Sequence, residues 1–163
     1  MRIDLIVELL SLLVVANGSP VVISILLRDH LAWPLDGTRR FIDGQRLFGP
    51  SKTIRGVLVA VAATALIAPA CGLDRVTGAL FGLLAMAGDL CSSFVKRRLG
   101  YAPGATRPLL DQLPESLLPL WLLQPATGAS HLEMAIAMAA FIVLDLLLSY
   151  LYRRIRRIAG DAG

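Results

Sequence analysis

The chain of 163 residues is 56% hydrophobic and 17% charged, and its mean hydropathy is +0.68. Soluble domains are usually about 45–50% apolar and about 25% charged, so this composition excludes an ordinary soluble globule. A chain this short has little interior in which to hide the excess, so we expect apolar side chains to face lipid. The formal net charge of +4 does not by itself indicate nucleic-acid binding, and no nucleic-acid partner is expected.

Five apolar stretches follow one another along the chain, at positions 5–27, 57–71, 76–95, 109–123 and 132–152. A membrane-spanning helix needs about 20 apolar residues. The fourth stretch is short and carries Pro114 and Pro119, so it is either a broken span or a segment packed inside the bundle; we count it as a span. The sequence therefore predicts one all-α domain, 1–163: a polytopic membrane helical bundle of about five transmembrane segments, with at least one broken helix.

The basic residues are concentrated in three segments. Fourteen of the sixteen Lys and Arg residues lie in the loop 28–56, in the stretch 96–107 or in the tail 153–157. With five spans these segments share one side of the membrane, and the positive-inside rule makes that side the cytoplasm. We therefore expect a multi-pass protein of the cell membrane with its N-terminus outside, its C-terminus cytoplasmic, and 28–56 as a cytoplasmic basic loop.

The third stretch contains an ionisable residue, Asp89. A charge inside a span costs about 2.5–3.5 kcal/mol on insertion scales and usually has a function. At helical spacing Asp89 shares one face with Ser93 and Lys96, and Gly82 and Gly78 continue this face as a helix-packing pattern. The pattern favours a metal or ligand role for Asp89, ahead of the alternative of an internal ion pair with a lysine or an arginine.

Two further carboxylates, Asp111 and Glu115, lie one helical turn apart in the fourth stretch. Neither has a basic residue nearby in its own segment, so either one of them is protonated or a metal ion holds both. Carboxylates on two inner segments suit Mg²⁺, which also binds substrate phosphates. A proton relay and a simple polar kink are the alternatives.

Two other segments suggest a polar site. The NGSP sequence at positions 17–20 is typical of a turn, which inside a span predicts a broken helix lining a polar cavity; a harmless kink is the alternative. The loop 28–56 interleaves glycines with Lys52, Thr53 and Arg55, which suits phosphate binding. A basic loop facing anionic lipid would have a similar sequence.

These segments together resemble the CDP-archaeol synthase family of membrane cytidylyltransferases. The resemblance covers most of the chain, through NGSP, DGQRLFGPSKTIRG, GDLCSSFVKRRLG and PLLDQLPES. It implies magnesium-dependent transfer of a cytidylyl group from CTP to a lipid phosphate, with CTP entering from the cytoplasm. The chain departs from the family pattern at Pro114, which stands in place of a second aspartate. Either Glu115 replaces that ligand or the lipid substrate differs, so archaeol is not carried over.

The resemblance, combined with the residues above, predicts a role for each side chain. Asp89, Asp111 and, as a third, Glu115 are predicted Mg²⁺ ligands, with Asp89 and Asp111 counted as catalytic. Lys96 and Arg97 are predicted catalytic phosphate cations. Lys52, Thr53 and Arg55 from the loop, together with Asn17 and Ser93, are predicted to bind the nucleotide. The expected partners are CTP, a lipid phosphate and membrane lipids, and a homodimer is left open.

Two other classes of protein, a transporter or channel and a structural membrane subunit, are the alternatives to an enzyme. Intramembrane carboxylates and broken helices also mark transporters and channels for ions or protons, although no repeated halves are visible in this sequence. A small structural membrane subunit would leave the insertion costs of the carboxylates without any function to explain them. The sequence therefore favours the enzyme, with a transporter or channel as the alternative.

The charge asymmetry yields a topology test at Thr38. A cysteine placed at this position, in a variant that lacks Cys71 and Cys91, should resist an impermeant thiol reagent added to intact cells, because the loop is predicted to be cytoplasmic. Labelling should occur only after the membrane is permeabilised. Labelling from the outer face of intact cells would overturn the predicted orientation.

Overall fold

The computed structural model describes residues 1–103, 105 and 107–160. Positions 104, 106 and 161–163 of the predicted single domain lie outside the described residues, as do the side chains of the tail at 153, 156 and 157. In chain order the α-helices are α1 (Ile3–Leu27), α2 (Ile54–Ile67), α3 (Arg75–Arg98), α4 (Gln112–Leu122), α5 (Gln124–Thr127) and α6 (His131–Gly160). A 3₁₀ helix, Ala68–Cys71, continues α2. The predicted all-α class is confirmed.

Among the residues that the structure describes, four helical segments are long and apolar enough to cross a membrane: Ile3–Leu27, Ile54–Cys71, Arg75–Arg98 and His131–Leu151. The fourth apolar stretch of the sequence instead forms two short helices, α4 of 11 residues and α5 of four residues. Leu123, with a φ of −100° and a ψ of 10°, separates the two helices. The expected broken helix is therefore found here, between α4 and α5, where a proline stands in the first turn of α5.

The short helices α4 and α5 lead from one end of the bundle to the other. Asp111, which precedes α4, pairs with Lys96 in the last turn of α3. Gly128, which follows α5, accepts a hydrogen bond from the Arg2 side chain at the start of α1. Arg2 also pairs with Glu133 at the start of α6, at 2.9 Å. The chain thus passes between the two ends of the bundle on this segment; a count of five spans and their orientation stay predictions.

The predicted break of the first helix is wrong. Helix α1 runs without interruption through the NGSP segment, with Pro20 inside it. Asn17 donates its side-chain amide to the Leu13 carbonyl at 3.0 Å, which keeps the polar group satisfied within the helix. Membrane helices tolerate proline where neighbouring groups satisfy the freed carbonyl. Asn17 and Pro20 nevertheless line a polar cavity, as the sequence pattern predicts.

The apolar core occupies the end of the bundle at which α1 begins. Its largest fully buried apolar side chains are Leu9, Leu12, Leu13, Phe81 and Phe141. The buried residues of α1 end at Ala16, and the next residues of the helix border the cavity at the other end. The bundle therefore has a dry end and a polar end.

Glycines let the neighbouring helices approach α3 closely. A Cβ on Gly78 would lie 2.7 Å from the Thr64 carbonyl oxygen of α2, and a Cβ on Gly82 would lie 2.9 Å from that of Ala60. This matches the small-residue stripe seen in the sequence. Gly88 plays the same part toward α4, where a Cβ would lie 2.6 Å from the Cα of Glu115 and closer still to Pro114.

The contact at Gly88 generates a stability prediction. Gly88→Ala should lower the unfolding temperature in detergent by an amount equivalent to about 1–3 kcal/mol, because the added methyl meets the backbone of α4 and forces the helices apart. Gly18→Ala in α1 is the matched control, since a Cβ there meets nothing within 4 Å. Equal unfolding temperatures for the two variants would contradict the close packing of α3 on α4.

Candidate functional site

A cavity of about 640 Å³ lies at the polar end of the bundle. Its walls come from α1, α3, α4, α6, the start of α2 and the loop between α1 and α2. All ten site residues predicted from the sequence line it: Asn17, Lys52, Thr53, Arg55, Asp89, Ser93, Lys96, Arg97, Asp111 and Glu115. The structure therefore brings together residues that are up to 98 positions apart in the chain.

Asp89 is paired with a lysine from the loop. The Lys52 ammonium donates to both carboxylate oxygens of Asp89, at 2.6 Å to Oδ1. The two side chains keep 23% and 18% of their surfaces exposed, so the pair faces the cavity and is not sealed in the core. An internal ion pair, which the sequence analysis ranked second for Asp89, is thus the arrangement found.

Asp111 is paired in the same way with Lys96, at 2.6 Å. Lys96 also donates to the Ala105 carbonyl at 3.2 Å, and the other oxygen of Asp111 accepts from the Arg107 backbone N–H at 2.9 Å. No basic residue of its own segment is expected beside Asp111, and the cation that the structure places there comes instead from α3. Sequence proximity could not reveal this pair, whose members are fifteen positions apart.

The other predicted cations have structural contacts of their own. Arg97, which is 5% exposed, donates to the Ala102 carbonyl at 2.8 Å, while its buried Nε has no hydrogen-bond partner within the described part of the chain. Arg55 donates to the carbonyls of Arg28 and His30. Thr53 caps α2 by accepting from the Gly56 N–H. Arg55 and Thr53 thus hold the ends of the loop against the start of α2 beside the cavity.

Glu115 is buried, at 7% exposure, and has no ion-pair partner among the residues that the structure describes. Within the same residues, no three Asp, Glu, His or Cys side chains lie close enough together to hold a metal ion. Asp89 and Asp111 are instead held by their lysines. The predicted metal role of Asp89, Asp111 and Glu115 therefore stays a prediction.

The structure adds cavity residues that the sequence analysis missed. Asp145 and Ser149 reach the cavity from α6, and Gln112 reaches it from α4. Gln112 donates to Asp145 at 2.7 Å. Asp145 is an ionisable residue inside an apolar stretch, so the rule that singled out Asp89 could also have found it.

The loop between α1 and α2 is held in shape by the buried Asp36, which is 4% exposed. Asp36 pairs with Arg46 and accepts backbone N–H bonds from Thr38, Phe48 and Gly49. Burial alone would raise the pKa of this carboxyl, but the hydrogen bonds from Arg46 and the backbone hold the pKa well below its usual range. Asp36 is thus ionised at neutral pH and ties the middle of the loop together.

The loop is also attached to the end of α3. Arg98 pairs with Asp43 at 2.8 Å and donates to the Arg46 carbonyl. Its guanidinium also lies over the rings of Phe41 and Phe94, which meet edge to face. The loop therefore lies against the last turns of α3. These contacts hold the loop in place, and Lys52 reaches Asp89 from it.

The fold and the cavity together define a class: a polytopic helical membrane protein whose polar site, with paired cations and carboxylates, suits a polyanionic ligand at one end of the bundle. A solved structure described as "Structural insight into an intramembrane enzyme for archaeal membrane lipids biosynthesis" has the same fold, with a TM-score of 0.73 and 36% identity, over 88% of this chain and 92% of the other. The chain belongs to the CarS-like family of CDP-archaeol synthases, a family of membrane enzymes whose sequence model matches residues 3–156.

Curated relatives support the same assignment. The CDP-archaeol synthase of Hyperthermus butylicus is 40% identical over 104 residues, which is 60% of this chain and 59% of the relative. That of Thermofilum pendens is 46% identical over 106 residues, which is 61% of this chain and 51% of the relative. The matched region thus spans 51–59% of the length of these relatives.

The buried Asp36 yields a prediction about the loop. Asp36→Asn should raise amide hydrogen exchange at positions 36–49 by about tenfold or more, because unsatisfied buried partners cost about 1–3 kcal/mol. The exposed Asp29→Asn in the same loop is the control.

In the wild type, the contribution of Asp36 to the stability of the loop should be complete at pH 7. It should weaken as the pH falls below about 3.9, since the pKa of Asp36 is lowered in the folded state. Unchanged exchange at pH 7 would contradict this role.

Proposed function

We propose that this protein is an integral membrane cytidylyltransferase that transfers CMP from CTP to a lipid phosphate, releasing pyrophosphate and a CDP-activated lipid. The observation that carries the proposal is the cavity in which Lys52, Lys96 and Arg97 stand beside Asp89 and Asp111 at one end of a membrane bundle. Family membership and the names of the relatives support the same activity.

The charges of the cavity suit two polyanions that must meet. CTP and a lipid phosphate repel each other, so the site has to supply positive charge where both are bound. Lys52 and Arg55 come from the loop side of the cavity, whereas Lys96 and Arg97 come from the end of α3. We assign the loop cations to the triphosphate and the α3 cations to the reacting phosphates.

The transfer itself requires little acid–base chemistry from the protein. A phosphomonoester has a second pKa of about 6, so the lipid phosphate is already an effective nucleophile at neutral pH. One of its oxygens attacks the α-phosphorus of CTP, and the bond from that phosphorus to the bridging oxygen of the β-phosphate breaks. The electron pair leaves with pyrophosphate, whose developing charge Lys52 and Arg55 stabilise, while Lys96 and Arg97 stabilise the charge on the reacting phosphates.

The carboxylates fit a hard divalent cation such as Mg²⁺ by their chemistry. Mg²⁺ is usually held by one or two carboxylates, with waters and substrate phosphates completing its ligands, so a cluster of three protein ligands is not required. Asp89 and Asp111 would hold the ion and Glu115 lies near enough to the same cavity to assist. When bound, the ion would supply positive charge to the phosphates.

The proposed acceptor class is a lipid phosphate, which includes lipids with diacyl and with ether-linked chains. The relatives named as CDP-archaeol synthases make an ether-lipid phosphate the first acceptor to test. The active site is proposed to open to the cytoplasm, where the basic loop 28–56 would meet CTP.

The activity is tested with purified protein, labelled CTP, Mg²⁺ and a panel of diacyl and ether-lipid phosphates. We expect label to enter one lipid class with equimolar release of pyrophosphate. Absence of transfer to every acceptor, from a protein that is folded by its unfolding temperature, would refute the proposal.

Asp89→Asn is expected to reduce transfer at least a hundredfold while the protein still folds, because the amide keeps the size of the side chain and removes the charge needed by Lys52 and by a cation. Asp74→Asn makes the same chemical change at the cap of α3, at the opposite end of that helix, and should keep both fold and activity since asparagine also caps helices. Transfer by Asp89→Asn at the wild-type rate would remove this residue from the site.

A further inference from the structure

Gln112 and Asp145 form a partly buried contact that the proposed chemistry does not use. The side-chain amide of Gln112 donates to Oδ2 of Asp145 at 2.7 Å, and Gln112 is 1% exposed. The contact joins α6 to the first residue of α4, at the edge of the cavity. Burying the Gln112 amide is costly unless it is paired, and Asp145 supplies one of its partners.

The other end of the Gln112 amide holds a strained turn. Its oxygen accepts the Leu109 N–H at 2.8 Å, and Leu109 has a φ of +66°, which is unfavourable for a leucine. Such a conformation persists only where the surroundings determine it. The Leu109 N–H can only donate, so the Gln112 oxygen lies toward Leu109 and the Gln112 nitrogen lies toward the Asp145 carboxylate, which accepts from it.

The turn in question carries Asp111. The carboxylate of Asp111 accepts from the Arg107 N–H at 2.9 Å and pairs with Lys96 at 2.6 Å. A different conformation at Leu109 would therefore move the carboxylate of Asp111 relative to Lys96. Displacements of about 1 Å can reduce catalysis by about a hundredfold.

We propose that Asp145, acting through Gln112, is a positioning residue that holds Asp111 against Lys96 in the cavity. Its contribution is a hydrogen-bond acceptor of fixed orientation and not a negative charge for the ligands. This inference rests on the proposed transfer activity, to which it adds the part that α6 plays in shaping the site.

The contact can be reversed without changing the net charge. Gln112→Glu alone should set two carboxylates against each other and release the turn. Adding Asp145→Asn should restore both bonds, because the new carboxylate at position 112 can accept from Leu109 and from the new amide. Asp145→Asn alone should keep an acceptor for Gln112.

We expect kcat for cytidylyl transfer to fall at least tenfold in Gln112→Glu and to return to within about threefold of wild type in the double variant. Asp145→Asn alone should also lie within about threefold, whereas Asp145→Leu, which removes the acceptor, should resemble Gln112→Glu. The unfolding temperature of each variant separates a positioning role from a general loss of stability.

Hydrogen exchange of the segment 107–112 supplies a readout that does not depend on activity. Exchange there should accelerate in Gln112→Glu and return toward wild type in the double variant. A folded double variant that recovers neither activity nor slow exchange would overturn the inference. So would an Asp145→Asn variant that is as impaired as Gln112→Glu, because that result would assign the role of Asp145 to its negative charge. If the wild type transfers nothing, the proposed function fails, while the exchange data still decide whether Asp145 positions the turn.

Discussion

The pairing of charges on α3 with partners from elsewhere in the chain is the constraint on which the polar end of this bundle depends. A bundle in lipid can hold Asp89 and Lys96 only if their charges are met by opposite charges or by water. Asp89 is met by Lys52 from the loop, and Lys96 is met by Asp111 from the start of α4. These two pairs bring the loop and α4 to α3, so the same contacts that satisfy the helix also assemble the cavity.

The ion pairs form only if the helices lie close together, and glycines on α3 allow this close approach. Gly78 and Gly82 let α2 lie against α3, and Gly88 does so for α4. With bulkier residues the helices would stand farther apart, and the pairs that bridge them would no longer meet at hydrogen-bond distance. The loop depends on another buried charge, Asp36. Its hydrogen bonds with Arg46 and with backbone N–H groups maintain the shape of the loop. Packing and electrostatics therefore act together at this end of the molecule.

The arrangement also suits the proposed chemistry. Asp89 and Asp111 are each held by a lysine that could instead bind phosphate, so these charges are balanced before ligands arrive and can regroup around them. Unpaired carboxylates would carry a large desolvation cost inside a bundle. For the pairs of Asp89 and Asp111 this cost is smaller, because both pairs face a polar cavity and remain partly exposed.

The sequence by itself determined the helical class, most of the span positions and ten of the residues that line the cavity, since lipid excludes unpaired backbone and makes intramembrane charges conspicuous. It did not determine how those charges pair. Asp89 and Lys52 are 37 positions apart, and only the packing of the loop against α3 brings them together. The continuity of α1 through Pro20 and the link from Asp145 to Gln112 likewise depend on neighbours that no local pattern contains. Local chemistry marks which residues are costly to bury, whereas the partners that compensate them are set by the tertiary structure.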